Sequence, residues 1–382
     1  MPFYPLVFIV ALLYAFVGWR LVPELSALWD WVMGAGLLLS AVLMPLGLLG
    51  NRVASQPWAD RLSWVGLLLM GLFSSLFVLT ALRDVLLLVV WAVDALVFAL
   101  PLKSLRSLSG MATPLLALLI TALGFLNARR TPAIVRVDVP IAGLPVALQG
   151  FTLAQISDIH VGPTIKHAFL QRIVAKVNTL SADVVAITGD LVDGNVSDLA
   201  GHVAPLAELR SRHGTYFVTG NHEYYSGAHA WIAELRRLGL TVLMNEHVVL
   251  HHSNPQTGAS LVLAGVNDFT AHHFDQTHRS DPALALRGAP ADALVRVLLA
   301  HQPRSAHAAL SAGFDLQLSG HTHGGQFWPW NLFVPLQQPF TAGLNRLQSL
   351  WVYTSRGTGY WGPPKRFGAP SEITALRLVI AK

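Results

Sequence analysis

Five short apolar runs in this chain each end in residues that could bind a metal ion or move a proton. "FTLAQISDIHVG" ends in Asp158 and His160, "DVVAITGDLVDG" in Asp190 and Asp193, and "TYFVTGNHEYY" in Asn221, His222 and Glu223. "VRVLLAHQP" ends in His301, and "FDLQLSGHTHGG" in His321 and His323. Singly, each has an ordinary explanation, because an Asp after a strand usually caps a helix or a turn. Capping does not ask for Asp-x-His, Gly-Asp, Gly-Asn-His, a lone His and Gly-His-x-His in succession. The set therefore reads as a metal centre. The chain has no cysteine, so the ligands must be His, Asp, Glu or Asn. In an extended segment residues i and i+2 face alike, which lets His321 and His323 turn to one site. Gly324 and Gly325 then permit a sharp turn beside it.

The elements that must position these residues are legible from Thr131 onward. The runs "AIVRVDVPI", "FTLAQIS", "DVVAIT", "TYFVT", "SLVLAGV", "VRVLLA", "FDLQLS" and "WVYTS" read as strands. Residues 166–179, 197–212 and 227–239 carry helical periodicity with polar faces. Alternating strands and helices predict an α/β sandwich built on one or two sheets. Ligands in such folds sit outside the carboxyl ends of the strands, which is where the five motifs fall.

The first 130 residues differ in kind. The chain is 53% hydrophobic and only 12% charged, against about one quarter charged in a typical globular chain, and the deficit lies in this part. We predict a membrane region over 1–130 with five spans of about 20 apolar residues each. These are Phe3–Trp19, Trp31–Gly50, Leu62–Leu82, Val85–Leu102 and Leu108–Asn127, with a tight hairpin or a broken helix at Arg83–Asp84. Five such stretches are not a cleavable signal peptide. Arg52, Arg61, Lys103 and Arg106 would lie in loops on one side, and Arg20, Arg83, Arg129 and Arg130 on the other. The short loops favour export of the second domain, 131–382, and Arg129 and Arg130 favour the opposite. Asp94, inside a span, reads either as a functional carboxylate or as an interfacial one. The net charge of +5, with no long Lys/Arg run, gives no nucleic-acid footprint.

The order D-x-H, G-D-x-x-D, G-N-H-E, H, G-H-x-H resembles that of the calcineurin-like metallophosphoesterases over roughly residues 150–376. The ending "YTSRGTGYWGPPKRFGAPSEIT" looks like a bacterial membrane-associated branch that shares features with UDP-2,3-diacylglucosamine pyrophosphatases and with transmembrane proteins carrying a metallophosphoesterase domain. The resemblance implies a four-layer β-sandwich flanked by helices, in a multi-pass protein of a bacterial inner membrane. It also implies two divalent metals. Asp158, His160, Asp190 and His323 would hold one; Asp190, Asn221, His301 and His321 the other, with Asp190 bridging. A shared carboxylate allows two cations to approach to about 3.5–4 Å and clamp a phosphate. Donors of N and O type suit Mn, Fe, Zn or Co.

The same resemblance gives His222 a role at the scissile phosphate or its leaving group. Asp193 would orient it, or else cap a helix. Arg356 either reaches a phosphate oxygen or forms a structural ion pair. In "FWPWNLFVPLQQPF", Trp328 and Trp330 either meet lipid or a lipid-linked substrate, or form a core hairpin. The expected activity is a membrane-anchored phosphodiesterase or pyrophosphatase acting on a lipid-linked phosphate ester at the bilayer. The alternatives are a broad-specificity tethered phosphodiesterase, and a transporter or sensor with a regulatory metal domain. His251, His252, His272, His273 and His278 read as solvated loop residues, and Asp268 as a turn residue or a support to a ligand.

Overall fold

The computed structural model describes residues 4–253, 258–291 and 293–381; Phe3, the start of the first predicted span, lies outside them. Contacts divide the chain into two units, Met1–Leu126 with Gly362–Lys365, and Asn127–Trp361 with Arg366–Lys382. The division falls a few residues before the predicted boundary at 130/131, and α5 runs on through it.

The first unit is helical: α1 (Tyr4–Leu21), α2 (Ala27–Leu48), the single turn α3 (Gly50–Val53), α4 (Trp58–Leu96) and α5 (Leu102–Arg129). Among the described residues, three helices, α2, α4 and α5, are long and apolar enough to cross a membrane. Five spans were expected. Of the two predicted spans not counted separately, the first falls on α1, and most of the fourth is absorbed into α4, whose 39 residues also carry the third without a break. Arg83 and Asp84 do not turn the chain, because each finds tertiary partners. Asp84 accepts from Arg20 Nε (2.7 Å) and Nη2 (3.0 Å), while Arg83 donates to Ser109 Oγ (2.9 Å) and Arg106 O (3.0 Å). Arg83 is 5% exposed, so these bonds offset a desolvation cost that an unpaired charge there would leave in full. Asp94 accepts from Leu100 N (2.6 Å), closing the end of the helix.

The second unit holds two six-stranded sheets. The first runs β1 (Ala133–Ile141), β12 (Glu372–Ile380), β2 (Thr152–Ile156), β3 (Val184–Thr188), β4 (Thr215–Val218), β5 (Thr241–Val242). The second runs β10 (Gly343–Leu347), β11 (Leu350–Thr354), β9 (Leu316–Ser319), β8 (Val295–Leu299), β7 (Gly258–Gly265), β6 (Glu246–Ser253). All eight predicted strands are present. β2 to β5 pair in parallel, as do β7, β8 and β9. Parallel central strands buried on both faces read as near-continuous apolar runs, as in "VVAIT" of β3, which is buried throughout; "VRVLL" of β8 is interrupted by the half-buried Arg296.

The sheets face each other across one core that includes Leu153, Val184, Val218, Leu263, Val297, Leu318 and Leu376. Helices α6 (His167–Asn178), α7 (Val196–Val203), the short α8 (Asn221–Tyr225) and α9 (Ala228–Arg237) belong to the first sheet's side. α6 buries Phe169, Leu170, Ile173, Val174 and Val177, the stripe its period requires. Trp231 of α9 is fully buried and donates Nε1–H to Gly194 O (2.9 Å). The single turn α10 (Pro282–Ala285) and α11 (Ala306–Ala312) pack with the second sheet. The four layers are helix, sheet, sheet, helix, as expected.

Candidate metal and phosphate site

Every motif residue follows a strand at the same edge of the two sheets. Asp158 and His160 follow β2, Asp190 and Asp193 follow β3, Asn221 and His222 follow β4, His301 follows β8, and His321 and His323 follow β9. Among the described residues nine non-glycine residues have positive φ, and five of them are Asp158, His160, Asp190, His321 and His323. Each such conformation costs on the order of 1–3 kcal/mol, so the surrounding fold, and not local preference, holds these five.

The side chains gather into two groups of three whose ligand atoms lie within 4.8 Å of one another. Asp158, His160 and His323 form one; Asp190, His301 and His321 form the other. In the first, His160 Nε2 lies 3.1 Å from His323 Nε2, and His323 Nε2 3.5 Å from Asp158 Oδ1. In the second, His301 Nε2 lies 3.1 Å from both His321 Nδ1 and Asp190 Oδ2. Asp190 Oδ2 is also 3.9 Å from His160 Nε2, so this carboxylate stands between the groups.

Backbone and neighbouring side chains fix which atoms face inward. His301 Nδ1 donates to Thr188 O (2.7 Å), and His160 Nδ1 meets Asp193 Oδ1 (3.1 Å), turning each Nε2 toward the cluster. Asp158 accepts from His321 N (2.9 and 3.1 Å). Asp190 Oδ1 accepts from His222 N (2.9 Å). Asn221 Oδ1 is buried with no hydrogen-bond partner. An orphan of this kind costs about 1–3 kcal/mol, and ligation of a cation would remove that cost. Gly220 and Gly320 make room, since a Cβ on Gly220 would run into Asp190 Oδ1, and one on Gly320 into Asp158 Oδ2.

Electrostatics separate the buried groups. Burial acts to raise Asp190, yet His301, with His222 and His160 adding, holds it well below the usual carboxylate range. Burial instead lifts Asp158, with the Asp190 charge contributing and His301 opposing, as expected of two carboxyls sharing one pocket. Burial likewise opposes ionisation of Asp193, and His160 and His222 outweigh it. His222 rises to about 9: burial works against its charged form, and Asp193 and Asp190 prevail. Burial, with His301 adding, lowers His321 to about 3. Burial and then Arg366 keep His323 neutral as well. His301 moves the other way: burial works against its charged form, and Asp190, with Asp158 adding, raises it well above the ordinary imidazole value. Imidazoles and buried carboxylates converging in this way are the donor set of a divalent transition ion.

His222 sits beside the two groups. Its Nδ1 bonds Asp193 Oδ1 (2.6 Å) and its Nε2 lies 4.0 Å from Asp190 Oδ2. Its ring meets Tyr225 (5.2 Å) and Trp361 (5.7 Å) edge-on, and both of those aromatics are exposed.

A family model described as calcineurin-like phosphoesterase matches residues 151–325. A metallophosphoesterase of Aquifex aeolicus (strain VF5) is 32% identical over 224 residues, which cover 58% of this chain and 82% of that protein. The chain belongs to the calcineurin-like phosphoesterase family. Two vertebrate relatives are each named transmembrane protein with metallophosphoesterase domain. The one from Bos taurus is 44% identical over 283 residues, 70% of this chain and 63% of its own length. The one from Danio rerio is 41% identical over 272 residues, 69% and 62%. The chain thus spans less than two thirds of these two relatives. The family motif, from Asp158 to His323, lies within the matched region, while Arg356 and the two buried basic residues of "PPKRFG" lie beyond it.

Arg356 Nη1 donates to Glu372 Oε2 (2.9 Å), the ion-pair alternative, and its Cγ lies 3.0 Å from where a Cβ on Gly324 would stand. Trp328 and Trp330 are each 42% exposed, so they do not form a core hairpin. Asp268 accepts from Thr270 N (2.8 Å) and from Gln302 Nε2 (3.0 Å), serving a turn and the neighbour of His301 at once.

Two residues had no assigned role. Glu223 is fully buried and accepts from Gly220 N (2.6 Å), Asp190 N (3.0 Å) and Leu191 N (2.8 Å). Burial and then the Asp190 charge raise it to about 7. The signal was present, because a Glu three residues after the helix-capping position is a capping-box pattern. Arg366 is 1% exposed and places Nη2 3.0 Å from His323 Nδ1 and Nη1 2.9 Å from His323 O. Nothing in the local sequence marks it.

Proposed function

We propose that this chain is a membrane-anchored, dinuclear metal-dependent phosphohydrolase acting on a lipid-linked phosphate ester. The observation that carries the reading is the pair of ligand groups meeting at Asp190, with the unpartnered Asn221 Oδ1 beside them. Asp158, His160, Asp190 and His323 would hold one divalent ion, and Asp190, Asn221, His301 and His321 the other. When bound, such a pair supplies an activated water and offsets charge on the phosphate oxygens. His222 carries its Nδ1 proton toward Asp193, which leaves Nε2 to pass a proton to the departing oxygen. Asp193 keeps that ring oriented and favours its charged form. Asn221 adds an oxygen without adding negative charge against an anionic substrate.

The lipid-linked substrate is supported by the aromatic rim. Tyr225 and Trp361 touch His222 and are exposed, and Trp328 and Trp330 follow His323 within seven residues. Aromatic side chains of this kind favour a membrane–water boundary, and the domain follows α5 directly in sequence. We place it on the extracytoplasmic face, which a C-terminal reporter fusion tests. For the reaction itself, the purified full chain with added Mn should hydrolyse bis-(p-nitrophenyl) phosphate. Asp190→Asn and His222→Ala should each remove that turnover, and full activity in both variants would overturn the assigned site.

A further inference from the structure

A second donor cluster lies at the other end of the strands. Asp183 stands immediately before β3, His213 shortly before β4, and His252 in β6 of the second sheet. The motif residues follow the carboxyl ends of β3 and β4, so this cluster is separated from them by the length of those strands. His213 Nε2 lies 3.2 Å from His252 Nδ1, and His252 Nδ1 lies 3.8 Å from Asp183 Oδ1. All three ligand atoms fall within 4.8 Å of one another. Donors around a tetrahedral zinc with bonds of about 2.0–2.1 Å are separated by about 3.3 Å, so the imidazole pair already has the required spacing.

The cluster is built and not merely adjacent. Asp183 Oδ2 accepts from Thr152 N (2.8 Å) and Thr152 Oγ1 (3.0 Å), which leaves Oδ1 turned to the histidines. His213 N donates to Asp183 O (2.8 Å), tying the loops before β3 and β4 together. Phe151 packs on both rings, stacked on His213 at 5.9 Å and edge-on to His252 at 5.0 Å. An open cavity of about 440 Å³, lined in part by Pro145, His251, His252, Ser260 and Leu294, adjoins His252. It opens one member of the cluster, His252, to solvent. Burial lowers both imidazoles below their ordinary value, with Arg212 adding to the effect and Asp183 opposing it. Neutral rings keep lone pairs available.

We propose that Asp183, His213 and His252 form a mononuclear site for a borderline transition ion such as Zn²⁺, separate from the phosphohydrolase centre. Two imidazoles and one carboxylate select such an ion over Mg²⁺ or Ca²⁺, which take oxygen donors. The ion would join β6 of one sheet to the loops feeding β3 and β4 of the other, acting as a cross-link. The competing arrangement is a hydrogen bond between the two imidazoles, with no ion.

The full chain in detergent, stripped with chelator and reloaded with Zn²⁺, distinguishes the two. Bound zinc per chain, measured by mass spectrometry, should fall by one in His213→Gln and in His252→Gln. Hydrolysis of bis-(p-nitrophenyl) phosphate should be unchanged. The zinc-induced rise in melting temperature should shrink in the same variants. Asp183→Asn, which keeps an oxygen for Thr152, serves where a histidine variant misfolds, and should lower zinc affinity at least tenfold. Equal zinc content and affinity in all three variants would overturn the site and leave a hydrogen-bonded cluster.

Discussion

Asp193 Oδ1 is shared by two imidazoles, receiving His222 Nδ1 at 2.6 Å and meeting His160 Nδ1 at 3.1 Å. One carboxylate oxygen thereby ties a proposed ligand to the proposed proton donor. Asp193→Asn should lower kcat about 10–100-fold, the range for groups that orient a site from behind. His222→Ala should lower it about 10²–10⁴-fold. Because Asp193 acts partly through His222 and partly through His160, the double variant should be slower than His222→Ala alone, but by less than the product of the two single losses. Steady-state kinetics on an aryl phosphodiester with added Mn read this out, and strictly multiplicative losses would show independent action.

Glu223 supports the Asp190 loop from below through its three backbone acceptor contacts. Glu223→Ala strands three buried N–H groups, each costing about 1–3 kcal/mol, and should lower the melting temperature sharply. Glu223→Gln keeps an oxygen for some of these donors and should fall between the two. A melting curve unchanged in both variants would remove this role.

Gly220 and Gly320 press directly against Asp190 and Asp158. Gly220→Ala and Gly320→Ala should displace these carboxylates and reduce bound metal per chain, while far-ultraviolet circular dichroism stays near that of the parent. Retention of the full metal complement would show that the loops relax to absorb a methyl group.

Trp328 and Trp330 separate lipid from soluble substrates. Trp328→Ser with Trp330→Ser should reduce turnover of phospholipid or polyprenyl pyrophosphates in mixed micelles. Hydrolysis of bis-(p-nitrophenyl) phosphate should be retained. Equal loss on both substrates would assign the pair a structural part.

The strand edges were legible because parallel buried strands leave nearly unbroken apolar runs, and because polar residues at their ends have few other reasons to recur. His321 and His323 were readable from their place in the ordered set of motifs; the extended backbone expected for them was not found, since both residues are left-handed. Arg83 and Asp84 were not readable: a charge pair within an apolar stretch looks like a turn until Arg20, Arg106 and Ser109 are brought to it by other helices. Arg366 was invisible for the same reason, since His323, the proposed ligand it holds, lies 43 residues away in the chain. The cluster at Asp183, His213 and His252 joins residues 30 and 39 positions apart, and only the pairing of two sheets assembles it.

The left-handed backbone at Asp158, His160, Asp190, His321 and His323 restricts how this centre can change over evolution. Short polar residues such as Asp, Asn and His tolerate that conformation better than most, and β-branched residues are poorly suited to it. A single-base route from Asp to Glu at 158 or 190 is open in the genetic code, but it combines a longer side chain with an unfavourable main chain. The backbone thus acts as a second filter on the ligands, applied before any metal chemistry is tested.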